Sequence, residues 1–304
     1  MEQNFINLDE NILLKIYDTI RYVKPIEKNC SSNSESFEDN SLPKNHCYSV
    51  WEKDEVCENC TSIRASKEKK VFMKLEYSDK KIYMVTSVPM SDSEMDDRVI
   101  ELIRDVTNEN LLDSNDLLNE KVLLEKINNL NRELISDPLT KLYNRRFMDE
   151  RLPYELVKSW TTKAPIGLIM ADIDYFKKIN DTYGHLVGDQ VLTGFSNLLK
   201  STIRGTHDWI IRYGGEEFLL FISAANNEIL MKKAEHIRAL VENHVFSIDD
   251  LKLNITSSFG VFSVIPEQVD DISITKTYID NADKALYHSK TTGRNKVSSY
   301  KDFV

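Results

Sequence analysis

The 304-residue chain has no apolar run approaching the length of a membrane span, and its acidic start, residues 1–10, lacks the basic and apolar pattern of an export signal. A cytoplasmic protein without a membrane partner is therefore expected. Basic charge is also short: 39 Lys and Arg stand against 49 Asp and Glu, a formal net charge of -10. This argues against general nucleic-acid or anionic-membrane binding, which needs a basic surface. Any phosphate ligand must be held by local lysines, arginines and metal. Cysteine is rare and confined. All four lie between Cys30 and Cys60, where a cytoplasmic protein more often uses clustered thiols for metal or redox chemistry than for structural disulfides. What remains, 41% hydrophobic and 29% charged residues over this length, is the composition of a soluble globular protein with room for two domains.

Two stretches carry chemistry. In the first, the apolar runs Trp209-Ile210-Ile211 and Leu219-Leu220-Phe221-Ile222 flank Arg212-Tyr213-Gly214-Gly215-Glu216-Glu217-Phe218. The pattern reads as a β-hairpin with glycines supplying the positive φ of a tight turn. Two carboxylates and an arginine at its tip suit a magnesium–phosphate site; a solvated hairpin tip is the alternative on this stretch alone. In the second, the apolar run 166–171 leads into Asp172-Ile173-Asp174-Tyr175-Phe176-Lys177-Lys178-Ile179-Asn180-Asp181, then Gly184-His185 and Gly188-Asp189. It reads as a buried strand ending in acid, a polar loop, and a helix from about Asp189.

Together these stretches resemble the GGDEF family of diguanylate cyclases. Asp137-Pro138-Leu139-Thr140 at the domain entrance and Ala282-Asp283-Lys284-Ala285-Leu286-Tyr287, followed by Lys290 and Gly293-Arg294-Asn295, extend the resemblance over about residues 136–300. It implies an α+β domain, a two-layer sandwich with an antiparallel central sheet flanked by helices. It also implies condensation of two GTP molecules into cyclic di-GMP with release of two pyrophosphates, at a homodimer interface.

By the same resemblance Asp172, the Ile173 carbonyl and Glu216 bind Mg²⁺ or Mn²⁺, and Glu216 or Glu217 deprotonates or orients the attacking 3′-hydroxyl. Asn180 and Asp189 read the guanine edge, with His185 on the substrate side. Lys177, Lys290 and Arg294 contact phosphate, Phe176 packs or offers its backbone amide to phosphate, and Arg212 stabilises developing charge. Asp174 is a metal contact or a structural residue. The Arg-x-x-Asp product-inhibition site of many relatives is incomplete: Asp208 is present, but Gly205 stands where the arginine belongs, with Arg204 one residue away. Inhibition there is expected to be weak or absent.

The periodicity of the rest predicts helices over 145–160, 188–203, 227–244 and 277–291, and strands over 166–172 and 253–262. Residues 1–107 form an expected sensory domain, with a helix over 11–22, short helices over 48–58 and 60–70, a hairpin of 71–77 and 81–90 turning at Ser78-Asp79-Lys80, and a strand over 98–106. Ending in Asp105-Val106-Thr107, it resembles a PAS domain awaiting an unknown sensory ligand. Residues 108–136 are the expected linker helix. Its Leu123, Ile127, Leu130 and Leu134, extended by Leu112 and Leu117, space as a coiled-coil seam for a parallel dimer; packing on its own domain is the alternative. Residues 137–304 form the expected catalytic domain.

The cysteine cluster has several readings. Cys30, Cys47, Cys57 and Cys60 can close a tetrahedral Zn²⁺ site. Cys57 and Cys60 can instead form a reversible disulfide, the cluster can ligate haem or an Fe–S group, or the thiols are buried and inert. The function expected is a sensor-regulated diguanylate cyclase. The alternatives are a catalytically silent receptor for GTP or cyclic di-GMP, and a metal-binding scaffold for another protein.

Overall fold

A computed structural model describes residues 10–31, 45–91, 93, 96–107, 109, 120–203, 207–267 and 273–303. The chain divides into two compact units, Met1–Leu134 and Ile135–Val304.

The first unit begins with a single helical turn, α1 (Glu10–Leu13), and then the strand β1 (Thr19–Lys24). The helix expected over 11–22 is not formed. Ile20 and Tyr22 pack with Ile100 and Leu102, and pairing of the segment with the strand Val99–Asp105 overrides its weak helical period. Next come β2 (Asn29–Ser31), β3 (Asn45–His46), a 3₁₀ turn at Ser49–Trp51 in place of the helix expected over 48–58, α2 (Thr61–Glu68), β4 (Phe72–Ser78), β5 (Lys81–Pro89) and β6 (Val99–Asp105). Their antiparallel sheet has the order β3-β2-β1-β6-β5-β4. Asp79 and Lys80 both take positive φ at the hairpin turn, the geometry that matches strand twist in two-residue loops.

The helix α3 (Glu120–Ile135) closes this unit. Leu123 and Ile127, half of the expected intermolecular seam, are buried with Ile82 and Val106 inside the first unit. Leu130 and Leu134 are exposed. Heptad spacing marks an apolar stripe but does not say which surface covers it. Leu112 and Leu117 lie outside the described residues.

The second unit contains α4 (Arg145–Thr162), β7 (Ile166–Ile173), α5 (Phe176–Tyr183), α6 (His185–Thr202), β8 (Trp209–Gly214), β9 (Glu217–Ser223), α7 (Asn227–Asn243), β10 (Val245–Ile248), β11 (Leu251–Asn254), β12 (Ser257–Val264), α8 (Ser273–Thr291) and β13 (Val297–Ser299). The main sheet runs β13-β12-β7-β9-β8, antiparallel except for the β12–β13 pair. All eight positions of β7 are buried, because helices cover both faces. Ile169, Ala171 and Ile173 pack with residues of α6 and α7, while Ile166, Leu168 and Met170 pack with α4 and α8. The arrangement is three layers, not the two expected. The strand expected over 253–262 is split into β11 and β12, and the stretch read as a polar loop after Asp174 contains α5.

Candidate functional site

The site is built at one end of the sheet, where β7 runs out in acid. Asp172 lies opposite Glu217 in the β7–β9 register, and the hairpin places Glu216 beside it. Gly215 takes φ +52 at the turn, a conformation costly for a residue with a Cβ. Burial raises the Asp172 pKa to about 6; the Lys290 ammonium, 2.6 Å away, pulls it down, and Glu216 and Glu217 push it up again. Glu217 is raised in the same way, by burial first, against Lys290 and with Asp283 and Glu216. Crowded carboxylates with raised pKa values favour an added cation. Asp172, Glu216 and the Ile173 carbonyl offer oxygen donors of the kind a hard divalent ion takes. Among the described residues no three His, Cys, Asp or Glu side chains converge to hold a metal ion, but this set needs only two side chains.

Lys290 reaches Asp172 because α8 lies against β12 without an intervening side chain. A Cβ on Gly260 would fall 2.1 Å from the Leu286 amide nitrogen. Sequence reasoning assigned Lys290 to phosphate and missed its pairing with Asp172. It also missed the partner of Arg212, whose guanidinium lies 3.3 Å from Asp137 and donates to the Gly215 carbonyl at 2.9 Å. Asp137 at the same time accepts from the Thr140 amide and hydroxyl. The entrance motif thus braces the hairpin tip within the second unit.

Asp174, the uncertain acid, is buried and saturated. It accepts from Thr256 Oγ1 and Ser258 Oγ, each at 2.7 Å, and from the Asn295 amide at 3.0 Å. These bonds tie β12 and the turn after α8 to the end of β7. That turn places Arg294, at φ 61, over the ring of Tyr175 at 4.6 Å.

Asn180 lies on α5 and Asp189 on α6, next to Gly188, which packs closely against Asn180. A Cβ there would lie 1.9 Å from Asn180 Oδ1. His185, Asp189 and Lys177 are exposed. Phe176 is buried in the core with Val191 and Phe195, so its ring serves packing. Asp208 accepts from the Ser223 amide at 2.9 Å and lies 3.5 Å from Lys233. Arg204 and Gly205 lie outside the described residues.

Among the described residues the four cysteines of the first unit are not brought together as a metal-binding group. None of the four is in a disulfide. The buried ammonium of Lys28 stands among them, donating to Cys60 Sγ at 3.3 Å. Burial works to discharge Lys28, but Cys60, Cys47 and Cys57 hold its pKa above the ordinary lysine value. Cys30 lies instead by the Arg21 guanidinium, which opposes the upward push of burial on its thiol.

Comparison with known proteins supports the second unit. Residues 134–296 match the family model described as diguanylate cyclase, GGDEF domain. The diguanylate cyclase DgcZ of Escherichia coli K12 is 39% identical over 160 residues, 53% of this chain and 51% of that protein. Diguanylate cyclase A of Treponema denticola is 41% identical over 149 residues, 49% of this chain and 39% of that one. The chain thus spans about half the length, or less, of these curated relatives. Among solved structures, the coiled coil and GGDEF domain of DgcB from Caulobacter crescentus, in complex with c-di-GMP, has a TM-score of 0.53 at 28% identity. The match covers 59% of this chain and 92% of that one.

Proposed function

This chain belongs to the diguanylate cyclase GGDEF-domain family, and we propose that it condenses two GTP molecules into cyclic di-GMP, releasing two pyrophosphates. The observation that carries this reading is the acidic sheet end: Asp172 opposite Glu217, Glu216 beside them, and Lys290 at 2.6 Å. Each 3′-hydroxyl attacks the α-phosphate of the other nucleotide, so two such domains meet as a homodimer.

Mg²⁺ or Mn²⁺, held by Asp172, the Ile173 carbonyl and Glu216, would neutralise phosphate charge. The chain's own groups do the rest. Asn180 bonds the guanine N3 and 2-amino group, and Asp189 accepts from N1–H and the 2-amino group. Lys177, Lys290 and Arg294 hold phosphate oxygens, Lys290 exchanging its Asp172 partner for the nucleotide. Glu217, with its pKa raised by burial and neighbouring acids, suits the proton acceptor at the 3′-hydroxyl. Arg212, steadied by Asp137, offers a fixed positive charge to the phosphoryl group as it develops charge.

For the first unit we propose a PAS-like sensory role. The strand order supports it: setting aside the edge strand β3, β2-β1-β6-β5-β4 is a five-stranded antiparallel sheet with the helix α2 between its halves in sequence. So does the Asp105-Val106-Thr107 corner. Asp105 accepts from the Thr107 amide at 3.0 Å and pairs with Lys81 at 2.9 Å, and Thr107 Oγ1 accepts from the Ile82 amide.

The test is GTP turnover by purified protein with Mg²⁺, products resolved by chromatography. Cyclic di-GMP made by the wild type and lost in Glu216→Gln supports the reading. GTP binding without product, in every condition that leaves the protein folded, would replace it with a silent receptor.

A further inference from the structure

The thiol cluster has a feature that a zinc site would not need. The two residues between Cys57 and Cys60 hold the helix α3. Asn59, buried, donates from Nδ2 to Asn131 Oδ1 at 2.9 Å. The same side chain accepts from Arg64, and its carbonyl accepts from Lys74 Nζ at 3.3 Å. Asn131 in turn donates to the Leu75 carbonyl at 3.0 Å. Glu58 faces Arg132 at 3.5 Å; that pair is exposed and adds little. The C-terminal half of α3 is therefore fastened to its unit through a segment bounded by two thiols. The last residue of α3, Ile135, is the first of the second unit.

The two thiols are not equivalent. Cys57 is half-buried and lines a cavity of about 470 Å³ that also borders Asn59, Asn128 and Asn131. Cys60 is buried at the N-cap of the eight-residue α2, with Lys28 Nζ at 3.3 Å. One thiol is reachable from a cavity, and the other lies against a buried ammonium.

We propose that Cys57 and Cys60 are a redox-modified dithiol whose oxidation to a disulfide by a hydroperoxide releases α3 from the first unit. The Cys57 sulfur attacks the peroxide; an S–O bond forms, the O–O bond breaks, and the departing oxygen leaves as water with the thiol proton. The Cys60 sulfur then attacks the sulfur of the Cys57 sulfenic acid, giving up its proton. The S–S bond forms, the S–O bond breaks, and hydroxide leaves, taking the proton that Cys60 had given up. Two thiols and one hydroperoxide yield one disulfide and, for hydrogen peroxide, two waters. Lys28, in contact with the Cys60 sulfur, promotes the second step by offsetting the negative charge that develops there as the proton leaves. A disulfide brings the two Cβ atoms to about 3.8 Å, which folds Glu58 and Asn59 into a tight turn and withdraws the Asn59 amide from Asn131. The thiol chemistry is independent of the cyclase reading; its effect on turnover rests on that reading.

The test uses the full chain, reduced and then exposed to hydrogen peroxide. Remaining thiols are alkylated, peptides are weighed, and amide exchange along α3 is followed. The expected result is a Cys57–Cys60 disulfide with Cys30 and Cys47 still alkylated. Exchange over residues 126–134 should speed up by about tenfold or more as the helix loses its hold. Cys57→Ser should abolish both changes. Lys28→Met should slow disulfide formation by about tenfold while Lys28→Arg preserves it; Cys57→Ser, at a half-buried position, carries the test if Lys28→Met does not fold. One zinc per chain in freshly purified protein would overturn the proposal, as would a disulfide through Cys47, or α3 exchange that is the same in both redox states. GTP turnover is measured alongside. Silence of the cyclase in both states would count against the proposed activity and leave the disulfide and exchange results to decide the switch.

Discussion

Lys290 donates to Asp172 across 2.6 Å, linking the last turn of α8 to the end of β7. The carboxylate nonetheless titrates at about 6, because burial and then the two glutamates outweigh the lysine. Its folded value lies above the unfolded one of about 3.9. Asp172 therefore stabilises the ligand-free fold below the unfolded value, and that contribution is lost as pH rises through 6. Cation and nucleotide capture need the ionised form. Turnover should rise between about pH 5 and 7 while the ligand-free melting temperature loses the Asp172 contribution. Glu217→Gln removes a repelling neighbour and should move the midpoint of cation binding to lower pH. A midpoint that stays put in cation titrations of that variant would contradict the account.

Asp174 should be indifferent to metal and important to the fold. Asparagine there turns an NH₂ group toward donors that now meet a carboxylate. Asp174→Asn is expected to cost about 2–3 kcal/mol, read as a lower melting temperature. At temperatures where the variant is folded, its Mg²⁺ requirement should match the wild type. A large rise in the Mg²⁺ needed for half activity would restore Asp174 as a ligand.

Gly188→Ala separates nucleotide reading from stability. The added Cβ meets the flexible end of Asn180 at 1.9 Å, so Asn180 can move aside and the helix keeps its shape. The expected outcome is a KM for GTP raised about tenfold, the cost of one misplaced hydrogen-bonding group, with little change in melting temperature. Gly260→Ala should do the reverse. Its Cβ meets the α8 backbone, and a displaced helix costs about 3 kcal/mol. Melting curves and steady-state kinetics on both variants check the pair.

Progress curves should stay linear as cyclic di-GMP accumulates. Asp208 is already engaged by the Ser223 amide and Lys233, and Gly205 stands at the position of the missing arginine. Product inhibition that disappears in Asp208→Asn would show that this site works despite the lost arginine.

The second unit was legible in the sequence because its signals are local. A strand buried on both faces reads as the continuous apolar run 166–171, and a two-glycine turn between apolar runs reads as a hairpin. The helix α7 shows its buried face in Leu230, Ala234, Ile237 and Val241. Where local signals conflicted, the reading failed. Residues 11–22 carry both helical and alternating apolar spacing, and pairing of β1 with β6 decided for the strand. The helix α5 was hidden because its residues are mostly polar and exposed, with only Phe176 fully buried.

The sequence by itself determined the carboxylates, the lysines and the order in which they occur, because motif spacing is a property of the chain. Only the tertiary structure decided their partners. Asp172 with Lys290, Arg212 with Asp137, and Asp174 with Asn295 each join residues 75 to 121 positions apart. The same holds for Lys28, an unmarked lysine in a turn, which became the centre of the thiol cluster when the sheet brought it 3.3 Å from Cys60. Spacing along a chain names the groups available for chemistry; which charge neutralises which depends on distance in space, and only the packed fold sets that.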